Sequence, residues 1–524
     1  MGGPVGGAAH RLATLRGWRR GVAAAVLGAL AALALPPLFL LPVLPLAFTG
    51  LLALIGSAPG LKAAAAAGFW FGCGLYGVGL YWITDAILVQ AAAFWWLVPL
   101  AVPGLAAVLG LFVAVPCLLA RLARPGLPRA AVLAGAWVLA DLLRQFVLTG
   151  FPWNPLGSVL ELPGLPGDVL IQPAALVGVP GLTLAVLLGA CAPAAGRRAA
   201  STALLLAAAW ITYGLYRLPP PSSDPAPPAL QAVLVQGDID VREKHDRDEA
   251  IRSFDTYLGL TAQGIAQTTG PPRLVIWPET ASPFLLDRDP GARAAIAAAA
   301  PGSFVLAGTV RFDAAGRPRN SLVVLDGAGP PAALYDKWHL VPFGEYQPSW
   351  ARVGVQLVEG DGFAPGPGPR TLHVPGLPAI GPLICYEAIF PGHVVDERDR
   401  PALMVNITND AWFGDSSGPR QHLAAARMRA VEEGLPLLRA ANTGISAAFD
   451  AWGRARGRLD LGRRGVLVLG LDLRRPSRPL FSRAGLALPG ALAALCLLLG
   501  LAWRPRPAVA APQGSANHSY PFQN

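Results

Sequence analysis

Apolar and polar positions divide this chain into two unlike halves. From residue 18 to about 216, and again over 484–503, long apolar stretches are broken only briefly. Residues 21–61 hold no Asp, Glu, Lys or Arg at all. A helix needs about 20 predominantly apolar residues to cross the hydrocarbon core of a bilayer. Eight stretches fit: 18–35, 38–56, 63–84, 92–120, 129–148, 168–195, 199–216 and 484–503. Pro36-Pro37 splits the first uncharged run into two spans, because proline does not continue a helix. Arg11, Arg16, Arg19 and Arg20 ahead of the first stretch also fit the start of a secretory signal. Further spans follow at once with no small-residue cleavage site, so the stretch reads as an uncleaved first span.

Between 217 and 483 the period changes. A Pro- and Ser-rich linker at 218–229 leads into short β-branched runs at 230–236, 273–277, 303–310, 321–325, 371–374, 379–384, 402–407, 437–449 and 465–471. Helical patterns fit 245–268, 289–299 and 418–434. Strands mixed with helices predict a layered α/β domain, its sheets covered by helices. The expected division is a membrane domain over 1–217 with seven transmembrane helices, the linker, an α/β domain over 230–483, an eighth helix at 484–503, and a polar tail at 504–524 without fixed structure.

Composition adds orientation. The net charge of +10 comes with only 14% charged residues, well below the roughly 25% of soluble domains. Its Arg and Lys cluster at one set of span ends: the N-terminal arginines, Lys62, Arg121 with Arg124 and Arg129, Arg197 with Arg198, and Arg504 with Arg506. Asp85, the 149–167 loop and the 217–483 segment fall on the other side. By the positive-inside rule the α/β domain lies outside the cytoplasm and both ends lie within it. No basic stripe with interleaved aromatics is present, which argues against a nucleic-acid partner. Four of the five cysteines, Cys73, Cys117, Cys191 and Cys496, lie in apolar spans as small hydrophobes. Cys385 alone falls in the polar half, where it is either inert or a nucleophile.

Two places in the membrane half depart from apolarity. Asp141 and Arg144 share a helix face, and the loop that follows reads Thr149-Gly150-Phe151-Pro152-Trp153-Asn154-Pro155. A structural ion pair with an interface anchor is one reading; a site that holds lipid is the other. In the α/β half, Glu279 follows the run Arg273–Trp277, Lys337 follows Tyr335-Asp336, and Cys385 follows Ala379–Ile384. Strand ends gather functional groups in α/β folds. A thiol attacks a carbonyl as thiolate, so it needs a base and a nearby positive charge. Glutamate suits the first task; lysine suits the second and then the tetrahedral oxyanion. Singly, each residue has an ordinary role as core thiol, loop cap or solvated lysine.

The segments Trp277-Pro278-Glu279, Lys337-Trp338-His339-Leu340-Val341-Pro342-Phe343-Gly344-Glu345-Tyr346 and Cys385-Tyr386-Glu387 resemble the Glu–Lys–Cys signature of the nitrilase superfamily. Thr408–Asp415, Gln421-His422, Ala426–Ala430, Arg439–Ile445 and Gly150-Phe151-Pro152-Trp153 are similar, more narrowly, to the bacterial apolipoprotein N-acyltransferase family. The resemblance spans nearly the whole chain. It implies eight transmembrane helices carrying an α-β-β-α nitrilase-like sandwich on the periplasmic face of the bacterial inner membrane. It implies Glu279 as general base, Lys337 as oxyanion stabiliser and Cys385 as nucleophile, with supporting carboxylates at Glu345 and Glu387. Trp412, Tyr386, Phe343 and His245 become candidates for substrate contact. The implied reaction is ping-pong: Cys385 takes an acyl chain from a phospholipid, and the α-amino group of a diacylglyceryl-cysteine at an apolipoprotein N-terminus takes it from the thioester. No metal or other cofactor is implied.

The chain departs from the family pattern after Val235-Gln236-Gly237, where Asp238 and His245 stand in place of Asn and Trp. His245 is as readily a surface histidine. The segment 338–370 sets Trp338, Phe343, Tyr346, Trp350, Val353, Val355 and Leu357 among glycines and prolines, a pattern for a loop that dips into the interface and gates lipid entry, or for an ordinary structured loop. Two other function classes share much of this pattern: a membrane-tethered amidase or hydrolase in which water resolves the thioester, and a transporter or scaffold with a degenerate appended domain.

Overall fold

The computed structural model describes residues 11–89, 94–219, 230–240, 247–270, 273–349 and 362–503. His245, most of the 218–229 linker, Trp350, Val353, Val355, Leu357 and the 504–524 tail lie outside the described residues. Each of the eight apolar stretches contains a helix: α1 (Trp18–Ala32), α2 (Val43–Gly56), α3 (Leu61–Gly79), α4 (Val98–Leu122), α5 (Leu127–Arg144), α6 (Ala174–Ala195), α7 (Arg197–Arg217) and a final Ala487–Ala502. Among the described residues three helices are long and apolar enough to cross a membrane: Trp95–Leu122, Ala174–Ala195 and Arg197–Arg217. The others are shorter or less apolar than the sequence pattern suggests, because turns end them early. After Gly79 the chain turns and restarts as a short helix at Ile83–Leu88, and after Arg144 it passes through Leu148 at φ +53°.

One apolar core joins these helices, with Phe48, Phe71 and Trp137 meeting edge-on or tilted at ring distances of 5.4–6.2 Å. The α1–α3 contact depends on two glycines. A Cβ at Gly28 would stand 1.9 Å from the Phe71 carbonyl oxygen, and one at Gly74 would stand 1.9 Å from that of Ala25. Small residues allow such close backbone approach between membrane helices. At the other extreme, α7 buries only Gly214 and leaves Leu204, Leu205 and Leu206 exposed. A helix that is apolar and uncovered on nearly every side needs lipid around it.

Two sheets build the second half. The first runs β11 (Gly465–Leu471), β1 (Leu230–Gln236), β2 (Arg273–Ile276), β3 (Phe304–Phe312), β4 (Pro318–Leu325), β5 (Ala333–Asp336), with β1–β3 parallel and the outer pairs antiparallel. The second runs β10 (Ala455–Leu459), β9 (Ser446–Phe449), β8 (Leu437–Ala441), β7 (Leu403–Thr408), β6 (Ile380–Ile384), with β6–β8 parallel. Side chains alternate along each strand. Leu230, Ala232 and Leu234 face the second sheet's Ile384, Val405 and Leu438, whereas Val233 and Val235 face α8 (Arg247–Ala266) and α9 (Pro290–Ala299). The far side of the second sheet packs on α10 (Ser417–Glu433) through Leu423, Ala426 and Ala430. The layers are therefore α-β-β-α, the order that the family resemblance implies for a domain whose pattern predicts sheets covered by helices.

Four departures from the expected strands need correction. The run 437–449 is two antiparallel strands, broken where Asn442-Thr443-Gly444 turns. The run 371–374 makes only one isolated bridge, Leu372 to Ile380. Strands β5 and β10 were not expected: β5 is a four-residue edge strand with only Tyr335 buried, and Ala455-Arg456-Gly457-Arg458-Leu459 is an exposed, polar edge strand with no apolar alternation.

Candidate active site

Three strand ends of the two facing sheets deliver the site. Glu279 stands just beyond β2, Lys337 directly after β5, and Cys385 directly after β6. The Lys337 ammonium is 1% exposed and donates to Glu279 Oε1 at 3.1 Å and Glu345 Oε1 at 2.9 Å. Asn320 on β4 donates to the same two oxygens, at 2.7 Å and 3.0 Å. The other oxygen of each carboxylate takes a backbone N–H: Asn409 N to Glu279 Oε2 at 2.9 Å, and Val341 N to Glu345 Oε2 at 2.8 Å. A buried lysine is thus flanked by two fully bonded carboxylates, the arrangement a buried charge needs.

The electrostatics fix the resting protonation. Burial by itself would lower the Lys337 pKa, but Glu279, then Glu345, outweigh it and hold the group well above the usual lysine value. Burial pushes the Cys385 thiol well above its ordinary pKa, Glu279 adds to this, and Lys337 opposes it. The resting pair is therefore a neutral thiol and an ammonium. Cys385 itself sits at φ +51°, a left-handed conformation that an L-residue adopts at a cost of about 1–2 kcal/mol. Such outliers cluster at active sites.

Glu387 is fully buried and belongs to a different cluster. Its carboxylate accepts from Ile384 N at 2.7 Å, Trp338 N at 2.7 Å and the Tyr335 hydroxyl at 3.1 Å. Burial raises its pKa to about 7 against these donors. It ties the turn after β6 to the segment after β5, and so sets Cys385 against Lys337, while Glu345 touches the lysine itself. Tyr386 is buried, and its hydroxyl donates to the Gly150 carbonyl at 2.7 Å. Trp412 is 39% exposed, on the turn Asp410–Phe413. Phe343 adopts φ +65°, in a turn closed by its N–H to the Tyr346 carbonyl at 2.8 Å.

The sequence reading missed Asn320, which no motif marks: it is one polar residue inside the strand Pro318–Leu325. It also gave no role to the network behind Cys385. His422 Nε2 lies 3.0 Å from the Cys385 carbonyl oxygen and His422 Nδ1 lies 2.9 Å from Asp410 Oδ1. Asp410 also accepts from Arg439 at 2.7 Å and from Thr408 at 3.0 Å. Burial acts to raise the Asp410 pKa, but Arg439 and His422 overcome it and bring the value down to about 2.

The two halves are joined at this point. Trp82 and Trp153 of the membrane half both donate their indole N–H to Gln421 Oε1, at 3.1 Å and 2.9 Å. Gln421 returns a bond to the Gly79 carbonyl at 3.2 Å. Asp141 and Arg144 do form an ion pair, at 3.0 Å, and Arg144 also donates to the Trp153 carbonyl at 3.0 Å, so the pair ties the 149–155 loop to the helix that precedes it. Among the described residues, no three His, Cys, Asp or Glu side chains are grouped to hold a metal ion.

Comparison with known proteins gives a consistent result. The apolipoprotein N-acyltransferase N-terminal domain matches residues 27–192, and the carbon-nitrogen hydrolase family matches residues 253–476. An apolipoprotein N-acyltransferase of Allorhizobium ampelinum is 39% identical, over 87% of this chain and 91% of its own. Those of Rhodopseudomonas palustris and Brucella melitensis are 41% and 39% identical, each over 94% of this chain and 96% of their own. A solved amidase of the nitrilase superfamily from Nesterenkonia is 20% identical, covers 48% of this chain and 93% of its own, and has a TM-score of 0.36.

Proposed function

The chain belongs to the apolipoprotein N-acyltransferase family, and we propose that it acylates lipoproteins through a Cys385 thioester, with Glu279 as general base and Lys337 as oxyanion stabiliser. One observation carries the residue assignment: a buried Lys337 held between Glu279 and Glu345, within electrostatic reach of a Cys385 thiol on a left-handed turn.

The chemistry follows from the resting charges. Cys385 starts as a thiol, so Glu279 takes its proton as the sulfur attacks the ester carbonyl of a phospholipid. Negative charge moves from the carboxylate to the carbonyl oxygen, where the Lys337 ammonium meets it without reorganising. The intermediate collapses, the C–O bond breaks, and Glu279 returns the proton to the leaving lysophospholipid alkoxide. An acceptor amine then attacks the thioester, its proton passes to Glu279, and the C–S bond breaks. Glu279 gives that proton to the Cys385 thiolate, which restores the resting pair. The acceptor is the α-amino group of a diacylglyceryl-cysteine at an apolipoprotein N-terminus, and the donor is a bilayer phospholipid.

Glu345 shares Lys337 with Glu279 and holds the ammonium in place; Glu387 locks the Cys385 turn to the Lys337 segment. Partly exposed Trp412 borders the acyl chain's entry, with Phe343 and Tyr386 nearby. The membrane half, read as seven helices over 1–217 and an eighth at 484–503, sets the catalytic domain at bilayer depth on the periplasmic face of the bacterial inner membrane, because the basic span ends mark the cytoplasmic side. Both proposed substrates are lipid-anchored, which makes such a platform necessary. The assignment is tested by Cys385→Ser, which should abolish acylation of a diacylated lipopeptide by phospholipid vesicles. Residual N-acylation at wild-type rate would remove Cys385 from the mechanism.

A further inference from the structure

Cys385 is held in an unfavourable backbone conformation, φ +51°, and the structure shows what holds it. Its carbonyl oxygen faces His422 Nε2 at 3.0 Å. A carbonyl only accepts, so Nε2 carries the hydrogen. The other ring nitrogen is fixed by Asp410 Oδ1 at 2.9 Å, and Asp410 is in turn fixed by Arg439 at 2.7 Å and Thr408 at 3.0 Å. The carbonyl of Cys385 is therefore held by one end of a linked chain, Thr408–Asp410–His422. Every member of that chain is fully buried.

The ring is also pinned from the membrane side. His422 lies 5.5 Å from the Trp153 ring, and its neighbour Gln421 bonds both Trp153 and Trp82. A buried histidine in a core is usually just a satisfied polar group. This one differs because its partner is the backbone carbonyl of the proposed nucleophile, which is itself held at positive φ.

We propose that His422 is a positioning residue for the acyl transfer: by donating to the Cys385 carbonyl it holds the left-handed turn from which the thiol attacks. This rests on the reading of Cys385 as the nucleophile. His422 touches no reacting atom, and its removal acts on the rate of thioester formation, not on lipid binding. Loss of the bond lets the turn relax and moves the sulfur, and a displacement of about 1 Å costs a reaction roughly 100-fold.

The test uses the full-length enzyme in detergent with phospholipid, following thioester formation in single turnover by intact mass. Three variants separate position from bulk. His422→Gln places an amide N–H near the site of Nε2, His422→Asn carries the same amide one methylene short, and His422→Phe keeps the ring and loses the donor. The Asn and Phe variants should form thioester roughly 100-fold more slowly at an unchanged half-saturating phospholipid concentration, while Gln recovers most of the rate. If Phe fails to fold, the Gln and Asn pair decides, since both introduce the same polar group. Equal rates for Gln and Asn, or a raised half-saturation with an unchanged maximal rate, would overturn the proposal. A wild-type enzyme that forms no thioester would instead remove the nucleophile reading on which it rests.

Discussion

Replacing Glu345 by glutamine changes one charge and almost no volume, and the structure lets its cost be worked out. Glu345 accepts three bonds: Lys337 at 2.9 Å and Asn320 at 3.0 Å on Oε1, and Val341 N at 2.8 Å on Oε2. An amide has one oxygen for these two sites. Either Val341 N–H or the Lys337 and Asn320 side chains must face an N–H group, and a buried unsatisfied donor costs about 1–3 kcal/mol. Lys337 keeps Glu279 at 3.1 Å, and Glu279 keeps Asn320 at 2.7 Å and Asn409 N at 2.9 Å, so the proposed base is still held. At about 1.4 kcal/mol per tenfold, Glu345→Gln should slow thioester formation roughly 10- to 100-fold. Glu279→Gln removes the proton acceptor and should cost more, on the order of 100- to 10,000-fold. Both rates are read by single-turnover intact mass with phospholipid in excess. Equal losses, or a larger loss for Glu345→Gln, would mean that the base has been placed on the wrong carboxylate.

Acid stability should depend on Asp410. Its native pKa of about 2 lies below the ordinary 3.8, so the stability it supplies is present above pH 4 and is lost as pH falls toward 2. The difference amounts to roughly 2 kcal/mol, and Asp410→Asn should give a lower but flatter Tm between pH 5 and 2.5; parallel acid limbs would contradict this. Gly28→Leu should lower Tm sharply, because its Cβ would stand 1.9 Å from the Phe71 carbonyl oxygen and overpacking costs at least about 1–3 kcal/mol; an unchanged Tm would mean that α1 and α3 are not packed as described. Trp412→Ala should leave stability within about 0.5 kcal/mol, since the side chain is 39% exposed, and should raise the half-saturating phospholipid concentration. A fall in maximal rate alone would take Trp412 off the lipid path.

Legibility in the sequence followed burial. β1 and β11 match the expected 230–236 and 465–471 because each has an unbroken apolar centre, Ala232–Val235 in one and Val466–Leu469 in the other. β10 escaped because Arg456 and Arg458 lie on an edge, where no apolar alternation is required. The run that misled at 437–449 has apolar, buried residues on both sides of the turn at Asn442-Thr443-Gly444, so the two strands read as one. The apolar helices were legible as stretches but not at their ends, since apolar residues such as Leu148 also occupy turns. Glu279 and Cys385 stood out because each follows a buried apolar run, whereas the strand before Lys337, Ala333–Asp336, is half-buried and was not marked by the pattern. Asn320 did not: its importance lies in two carboxylates that come from elsewhere in the chain, Glu279 and Glu345, and nothing local records them. Glu345 and Glu387 looked alike in the motifs, and only the fold separates one bonded to Lys337 from one bonded to the backbone around Cys385.

The central claim is an acyl chain carried on Cys385, and the most direct test is the intact mass of the full-length protein after incubation with phospholipid. A gain of one acyl chain is expected, mapped to Cys385, absent in Cys385→Ser, and released both by hydroxylamine and by the amine of a diacylated lipopeptide, which gains the same mass. An adduct that water discharges but the lipopeptide does not would contradict acyl transfer and leave a hydrolase. No adduct on a protein shown to bind phospholipid would return Cys385 to the role of a buried core thiol.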